Sequence, residues 1–226
     1  SIDNATFFNK LVQRMIHWLT TRTGAGDLYE VDTRLRPSGR AGLLVSSFEA
    51  FAEYQQHQAW TWEHQALARA RIVAGPASLT ERFQAIRCAV LQRERDPIAL
   101  RQEVCAMRER MRAELDTSTA KVFDLKQGLG GIADIEFMVQ CQILANAYCY
   151  PDLLVFTDNI RQIDGLERFA VLSIANAARL RNAYRGLRRR IHRLTLQEQP
   201  AQIPACEARE ERESVIRVWR QLMESG

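Results

Sequence analysis

LYEVDTRLRPSGRAGLLVSSFEAF, residues 28–51, is where the chain changes character. Leu28, Val31 and Leu35, with Tyr29 and Thr33, predict an extended strand that Pro37-Ser38-Gly39 closes. Leu43-Leu44-Val45 predicts a second short strand. Two short strands do not make a stable sheet alone, so they read as the end of a larger one. Ser47 then caps a helix carrying Phe48, Phe51 and Tyr54, with Glu49 and Glu53 toward its N-terminal side, where negative charge suits the dipole. Nearly everything beyond reads as helix. The expected fold class is mainly α: a partial α/β element over residues 1–75, then a helical bundle over 76–226.

Before the stretch, Phe8, Leu11, Met15, Trp18 and Leu19 recur at three- and four-residue steps and predict a helix over 5–22. After it, residues 61–73 continue in helical style until Gly75-Pro76. Ser78-Leu79-Thr80-Glu81 has the form of a capping box opening a helix to about Arg93, and Asp96-Pro97 opens another to about Leu115. Residues 122–131 are too glycine-rich for a helix and predict an extended segment and tight loop. Helix resumes over 132–148. Thr157 or Asp158 caps a short helix that Gly165 ends, and long and final helices follow over 167–195 and 207–223. The loop between those last two carries Pro200 and Pro204.

The 226 residues allow one full domain plus a piece, and a composition 46% apolar and 26% charged excludes disorder as the main state. No stretch approaches the ~18–20 apolar residues of a membrane span. The start lacks the basic-then-apolar layout of a secretory signal, so the expected compartment is the cytoplasm. Net charge is only +4, so nucleic acid is not the expected partner. Lysine occurs only at Lys10, Lys121 and Lys126, leaving arginine as the main cation. Arginine suits phosphate and carboxylate, although a GC-rich genome gives the same bias. Arg185, Arg188, Arg189, Arg190 and Arg193 form a basic run that reads first as a solvated helix face. The five cysteines have no C-x-x-C spacing and the four histidines are scattered, which argues against zinc and for a reducing compartment.

Glu30 and Asp32, two apart on the expected strand, share a face. Arg34 continues it and Arg36 follows. Acids for a metal beside arginines for phosphate is the chemistry of phosphoryl and nucleotidyl transfer. Alternating charge on an exposed strand is the plainer account of the same pattern. A second group is Trp60-Thr61-Trp62-Glu63-His64-Gln65 with Arg69 and Arg71, where the tryptophans fit a core or a seam between domains. A third is GLGG, residues 128–131, followed by Asp134 and Glu136. Those acids suit a helix start and would repel a phosphate there, so a demanding turn explains the glycines.

Taken together, YEVDTRLRPSGRAGLLVSS at 29–47, AWTWEHQALARARIVAG at 59–75 and FDLKQGLGGIADIEFMVQ at 123–140 resemble the bacterial glutamine-synthetase adenylyltransferase family, bifunctional enzymes of nitrogen regulation. The resemblance covers essentially the whole chain. It points to the carboxy-terminal part of the adenylylating half, with residues 1–75 the end of a nucleotidyltransferase domain and 76–226 a regulatory helical bundle. It implies an enzyme moving AMP from ATP to a tyrosine of glutamine synthetase, with Mg²⁺. It also implies the PII signal protein as partner and glutamine as effector.

In that family's pattern two acids stand as Asp-x-Asp and a third on a later strand; Asp32 matches the third. Glu30 is nearby without matching a metal position. Arg34 and Arg36 are the nucleotide or phosphate candidates. Glu63, Arg69, Arg71, Asp134 and Glu136 are near-site residues without an assigned role. No Asp-x-Asp occurs here, and the chain begins just after where the family supplies one. Tight Mg²⁺ or ATP binding and activity of the chain alone are therefore not expected. The alternative is an interaction module for PII, glutamine or glutamine synthetase.

Overall fold

The computed structural model describes residues 2–24, 26 and 31–224. The chain is mainly α. Helix α1 spans Asn4–Thr20, started by Asp3, whose carboxylate accepts from the Thr6 amide. A 3₁₀ turn follows at Gly39–Ala41. The other helices are α2 (Phe48–His57), α3 (Thr61–Arg69), α4 (Ala77–Leu91), α5 (Pro97–Leu115), α6 (Ile132–Asn146), α7 (Asn159–Arg168), α8 (Ile174–Leu196) and α9 (Arg209–Trp219). A single π turn, Arg220–Glu224, extends α9.

Helix α6 is the centre. Ile132, Ile135, Met138, Val139, Ile143 and Leu144 are all buried, on every side of the helix, as expected of an element surrounded by others. Helices α3, α5, α7, α8 and α9 all pack on it. Leu67 and Ala68 of α3 belong to the same core as Val90 and Leu91 of α4 and Leu180 and Leu187 of α8. Helices α8 and α9 form an antiparallel-style pair whose seam includes Val215 and Val218.

Several chain signals act as read. Ser47 Oγ accepts from the Ala50 amide at 3.1 Å, and Asp96 Oδ1 from the Ile98 amide at 2.9 Å. Asp158, rather than Thr157, caps α7. The extended segment before the glycine loop is strand β1 (Val122–Asp124). Its antiparallel partner is β2 (Gln202–Pro204), in what the sequence predicts as loop.

Other expectations are corrected. Residues 31–35 are not a strand, and residues 28–30, which include Glu30, lie outside the described residues. Asp32 Oδ1 accepts from the Arg34 amide at 2.8 Å, and that local turn competes with any ladder. Leu43-Leu44-Val45 is also not a strand, and Leu43 is exposed. These two expected strands are therefore not seen among the described residues. Ser78 does not cap α4: Pro76, held at φ −59°, starts the helix at Ala77. Gly165 lies within α7 rather than ending it. The expected long helix breaks at Ala170, φ 57°, and restarts behind Ser173, which caps α8. Helix α1 has the predicted apolar stripe, but none of its residues is buried among the described residues.

Gly130 is required by its surroundings. It sits at φ 83°, and a Cβ there would lie 2.8 Å from the Arg212 carbonyl oxygen.

Candidate functional site

Asp32 and Arg34, in the irregular segment before α2, face α3, α5 and α6 across a cleft of about 810 Å³. Helix α3 contributes Trp62, Gln65, Ala66 and Arg69; α5 contributes Met107 and Met111; α6 contributes Phe137 and Gln140. Spacing on α3 explains its part: Trp62, Gln65, Ala66 and Arg69 follow three- and four-residue steps and share one face. The walls are chiefly apolar and the charges stand at the mouth.

The mouth is electrostatically organised. Arg34 Nε lies 3.0 and 2.9 Å from the two Asp32 carboxylate oxygens, with Nη2 2.5 Å from Oδ2. Arg69 pairs with Glu136 at 2.6 Å, and Asn159 Nδ2 donates to the same Glu136 oxygen at 3.2 Å. Of the near-site candidates, then, Arg69 lines this cleft with Asp32 and Arg34, and Glu136 holds Arg69.

Arg36, Glu63 and Arg71 lie instead around a smaller cleft of about 380 Å³ that includes Ser46, Gln55 and Phe83. Arg36 is occupied in shaping its own loop, donating from Nε to the Gly42 carbonyl at 3.1 Å and from Nη1 to the Thr33 carbonyl. Glu63 accepts from the Trp60 amide at 2.9 Å and from the Tyr54 hydroxyl at 3.0 Å, which fixes the start of α3. Burial, reinforced by Glu63, raises the Tyr54 phenol above its ordinary value. His64 is buried against the Gln55 carbonyl at 2.9 Å, and burial lowers its pKa, so it serves as a neutral core residue.

Asp134 is buried and lines neither of these clefts. One carboxylate oxygen accepts from Arg108 Nε at 2.7 Å and Arg112 Nη2 at 2.8 Å. The other accepts from the Gly130 amide at 2.7 Å. Arg108 is wholly buried and also donates to the Gln127 carbonyl at 2.7 Å. This network pins the glycine loop to α5. It explains an acid at the start of α6 better than the helix dipole alone.

A magnesium ion does not fit these residues. Among the described residues no three His, Cys, Asp or Glu side chains cluster, and both Asp32 oxygens already face the Arg34 guanidinium. One carboxylate paired with a cation is a poor ligand set for a hard divalent ion.

The sequence places Gln65 at the end of the 60–65 group without giving it a role. It is 2% exposed, and neither its Oε1 nor its Nε2 has a hydrogen-bond partner among the described residues. A lone glutamine in a helical run carries no signal; only burial singles it out.

Two family models match different parts of the chain. Residues 1–86 match the family model described as glutamate-ammonia ligase adenylyltransferase, and residues 99–202 match that described as PII-uridylyltransferase. The bifunctional glutamine synthetase adenylyltransferase/adenylyl-removing enzyme of Thioalkalivibrio sulfidiphilus is 54% identical over 226 residues, 100% of this chain and 23% of that protein. The protein of the same name from Nitrosococcus oceani is 51% identical over 99% of the chain and 23% of its own length. That of Pseudomonas aeruginosa is 49% identical over 98% of the chain and 24% of its own length. The chain thus spans about a quarter of the length of these relatives. Among the described residues no helix is long and apolar enough to cross a membrane.

Proposed function

We propose that this chain, matching over its whole length a segment of the bifunctional glutamine synthetase adenylyltransferase/adenylyl-removing enzymes, forms the helical wall of an adenylyl-transfer site. It also supplies one of that site's carboxylates and does not complete the reaction alone. In this reading the segment belongs to the adenylylating half. Residues 1–75 end a nucleotidyltransferase domain and 76–226 form its helical regulatory partner.

The observation that carries the reading is the cleft that brings Asp32 and Arg34 to Arg69 and the apolar faces of α3, α5 and α6. Guanidinium groups at its mouth suit phosphate oxygens, and its apolar interior suits a base. In the full reaction a tyrosine oxygen of glutamine synthetase bonds to the α-phosphorus of ATP, and the bond to pyrophosphate breaks. Asp32 helps take the hydroxyl proton. Mg²⁺ and ATP act in the longer enzyme, with acids this chain does not contain. The cytoplasm is the compartment this chemistry requires.

The test is a hybrid. This chain replaces the corresponding segment of the Thioalkalivibrio sulfidiphilus enzyme, and transfer of AMP to glutamine synthetase is measured. The hybrid is expected to transfer AMP, and the same hybrid with Asp32→Asn to lose nearly all transfer. Full transfer by the Asp32→Asn hybrid refutes the assignment.

The match of residues 99–202 to a PII-uridylyltransferase model favours a second, compatible role, receipt of the PII signal; glutamine as effector is part of this proposal by the family resemblance alone. Calorimetric titration of PII and of glutamine into the chain tests it, and absence of heat for both removes it.

A further inference from the structure

We propose that Glu136 is the positioning residue for Arg69: it holds the guanidinium at the cleft mouth, ordered for a nucleotide's phosphates, and Asn159 of α7 steadies it. The inference rests on the reading above that phosphates meet this cleft, and it adds what orders the cation that receives them.

Arg69 is the last residue of α3, and helix ends ordinarily fray. This end is tied down from two other helices. The last carbonyls of a helix lack α-helical partners, and here Arg87 of α4 donates to those of Leu67 and Ala68 at 3.0 and 2.7 Å. Gln162 of α7 donates to the Ala68 carbonyl at 3.1 Å. Arg87 and Gln162 are both buried, so the backbone leading into Arg69 is fixed from within the bundle.

The side chain is held as well. Arg69 Nη1 lies 2.6 Å from Glu136 Oε1, and Asn159 Nδ2 donates to that same oxygen at 3.2 Å. Glu136 follows the wholly buried Ile135 of α6, and Asn159, also buried, opens α7 behind its cap Asp158. Arg69 lines the cleft and Glu136 does not, so Glu136 acts on a ligand there through Arg69.

The pair engages Nη1, whereas a guanidinium carries five donors, so the fork still has donors to offer phosphate oxygens. A free arginine must be ordered when the phosphate arrives, and one already ordered spares the nucleotide that cost. The charge of Glu136 opposes a phosphate. Both partners stand at a mouth open to water, which screens that repulsion, so ordering is the larger effect. Two substitutions separate the effects: Gln keeps an acceptor and drops the charge, whereas Ala drops both.

The experiment measures AMP transfer to glutamine synthetase by the hybrid enzyme over a range of ATP concentrations, with an unfolding midpoint for each variant. Arg69→Ala is expected to raise the KM for ATP about tenfold or more, the loss of a charge-assisted contact. Glu136→Ala is expected to raise it about three- to tenfold, the cost of ordering one freed arginine, with kcat changed less than about twofold. Asn159→Ala is expected to raise it about twofold, the loss of one supporting hydrogen bond. Glu136→Gln is expected to bring the KM back within about twofold of the unaltered hybrid, because the acceptor remains. With Arg69→Ala in place, adding Glu136→Ala is expected to change the KM by less than about twofold. A merely structural Glu136 would lower kcat through the folded fraction and leave the KM alone.

Nitrogen NMR of the isotope-labelled, purified chain reads the ordering itself. The two Arg69 Nη groups are expected to give separate signals that merge in Glu136→Ala. Merged signals in the unaltered chain overturn the proposal. So does a KM that Glu136→Ala leaves unchanged or lowers while Arg69→Ala raises it. A KM that Arg69→Ala leaves unchanged refutes the phosphate reading and the proposal with it, so the two failures are told apart.

Discussion

Replacing Asp134 by Ala removes the acceptor for three donors: Arg108 Nε, Arg112 Nη2 and the Gly130 amide. Arg108 is 0% exposed, so its charge stays buried without its counter-ion. Breaking a buried pair from one side costs about 3–5 kcal/mol, because the surviving charge keeps its desolvation penalty. Arg112, 23% exposed at the side chain, can turn toward water and adds little. Arg108 keeps its bonds to Gln127, which holds the loss near the lower end of that range. The assay is urea unfolding followed by far-ultraviolet circular dichroism, comparing Asp134→Ala, Arg108→Met and the double variant. The double variant is expected to lose clearly less than the sum of the single losses, since each single change strands the other's partner. A loss below about 1 kcal/mol for Asp134→Ala, the magnitude of an exposed pair, refutes the reasoning. So does strict additivity.

Other outcomes follow from the same geometry. Arg87 is buried and donates to the carbonyls of Leu67, Ala68 and Leu154 at 3.0, 2.7 and 2.9 Å, so Arg87→Met should destabilise the chain by about 3 kcal/mol in the same denaturation assay. Gly130→Ala forces a side chain into φ 83° against Arg212 and should cost about 2 kcal/mol or more, read as a lowered melting temperature. Asp32→Asn weakens an exposed ion pair with Arg34 and should change stability by about 1 kcal/mol or less, so lost transfer in the hybrid should come without a matching loss of folding.

Stability should also fall with acid. Burial raises the Asp124 pKa, but hydrogen bonds from the Gln127 amide, the Thr117 hydroxyl and the Lys126 amide outweigh it and leave the carboxyl below its ordinary value. That contribution is complete above about pH 4 and lost as pH falls through the depressed value. The depressed His64 pKa acts in the same direction below about pH 6.5, because the unfolded chain takes up the proton first. Unfolding midpoints from pH 7 to 3 check both, and Asp124→Asn should flatten the most acidic part.

Local chemistry was legible where one residue and its near neighbours decide the outcome. Ser47 and Asp96 cap helices through bonds spanning two or three residues, and any reader of the chain can place them. The β1–β2 pair was not legible, because Phe123 meets Ile203 across 80 positions and neither segment is long enough to announce itself. Arginine misleads most. No pattern in the sequence singles out Arg87 or Arg108, yet they are buried because carbonyls and Asp134 answer their donors. The strand expected at Leu28–Leu35 rested on alternation alone, and at Asp32 a local side-chain turn prevails, with no ladder there among the described residues. The cleft joins residues from segments more than 100 positions apart, so Asp32, Arg34 and Arg69 of its members carried a site signal, Trp62 and Gln65 were named only within the 60–65 group, and Met107, Met111 and Gln140 carried none.

The central claim is that this chain furnishes a nucleotide-facing wall without being a complete transferase. It is tested most directly by incubating the purified 226-residue chain with glutamine synthetase, Mg²⁺ and ATP labelled at the α-phosphate, then counting label on glutamine synthetase. The account predicts no label above background from the chain alone, and label from the hybrid that contains it. Label transferred by the chain alone contradicts it.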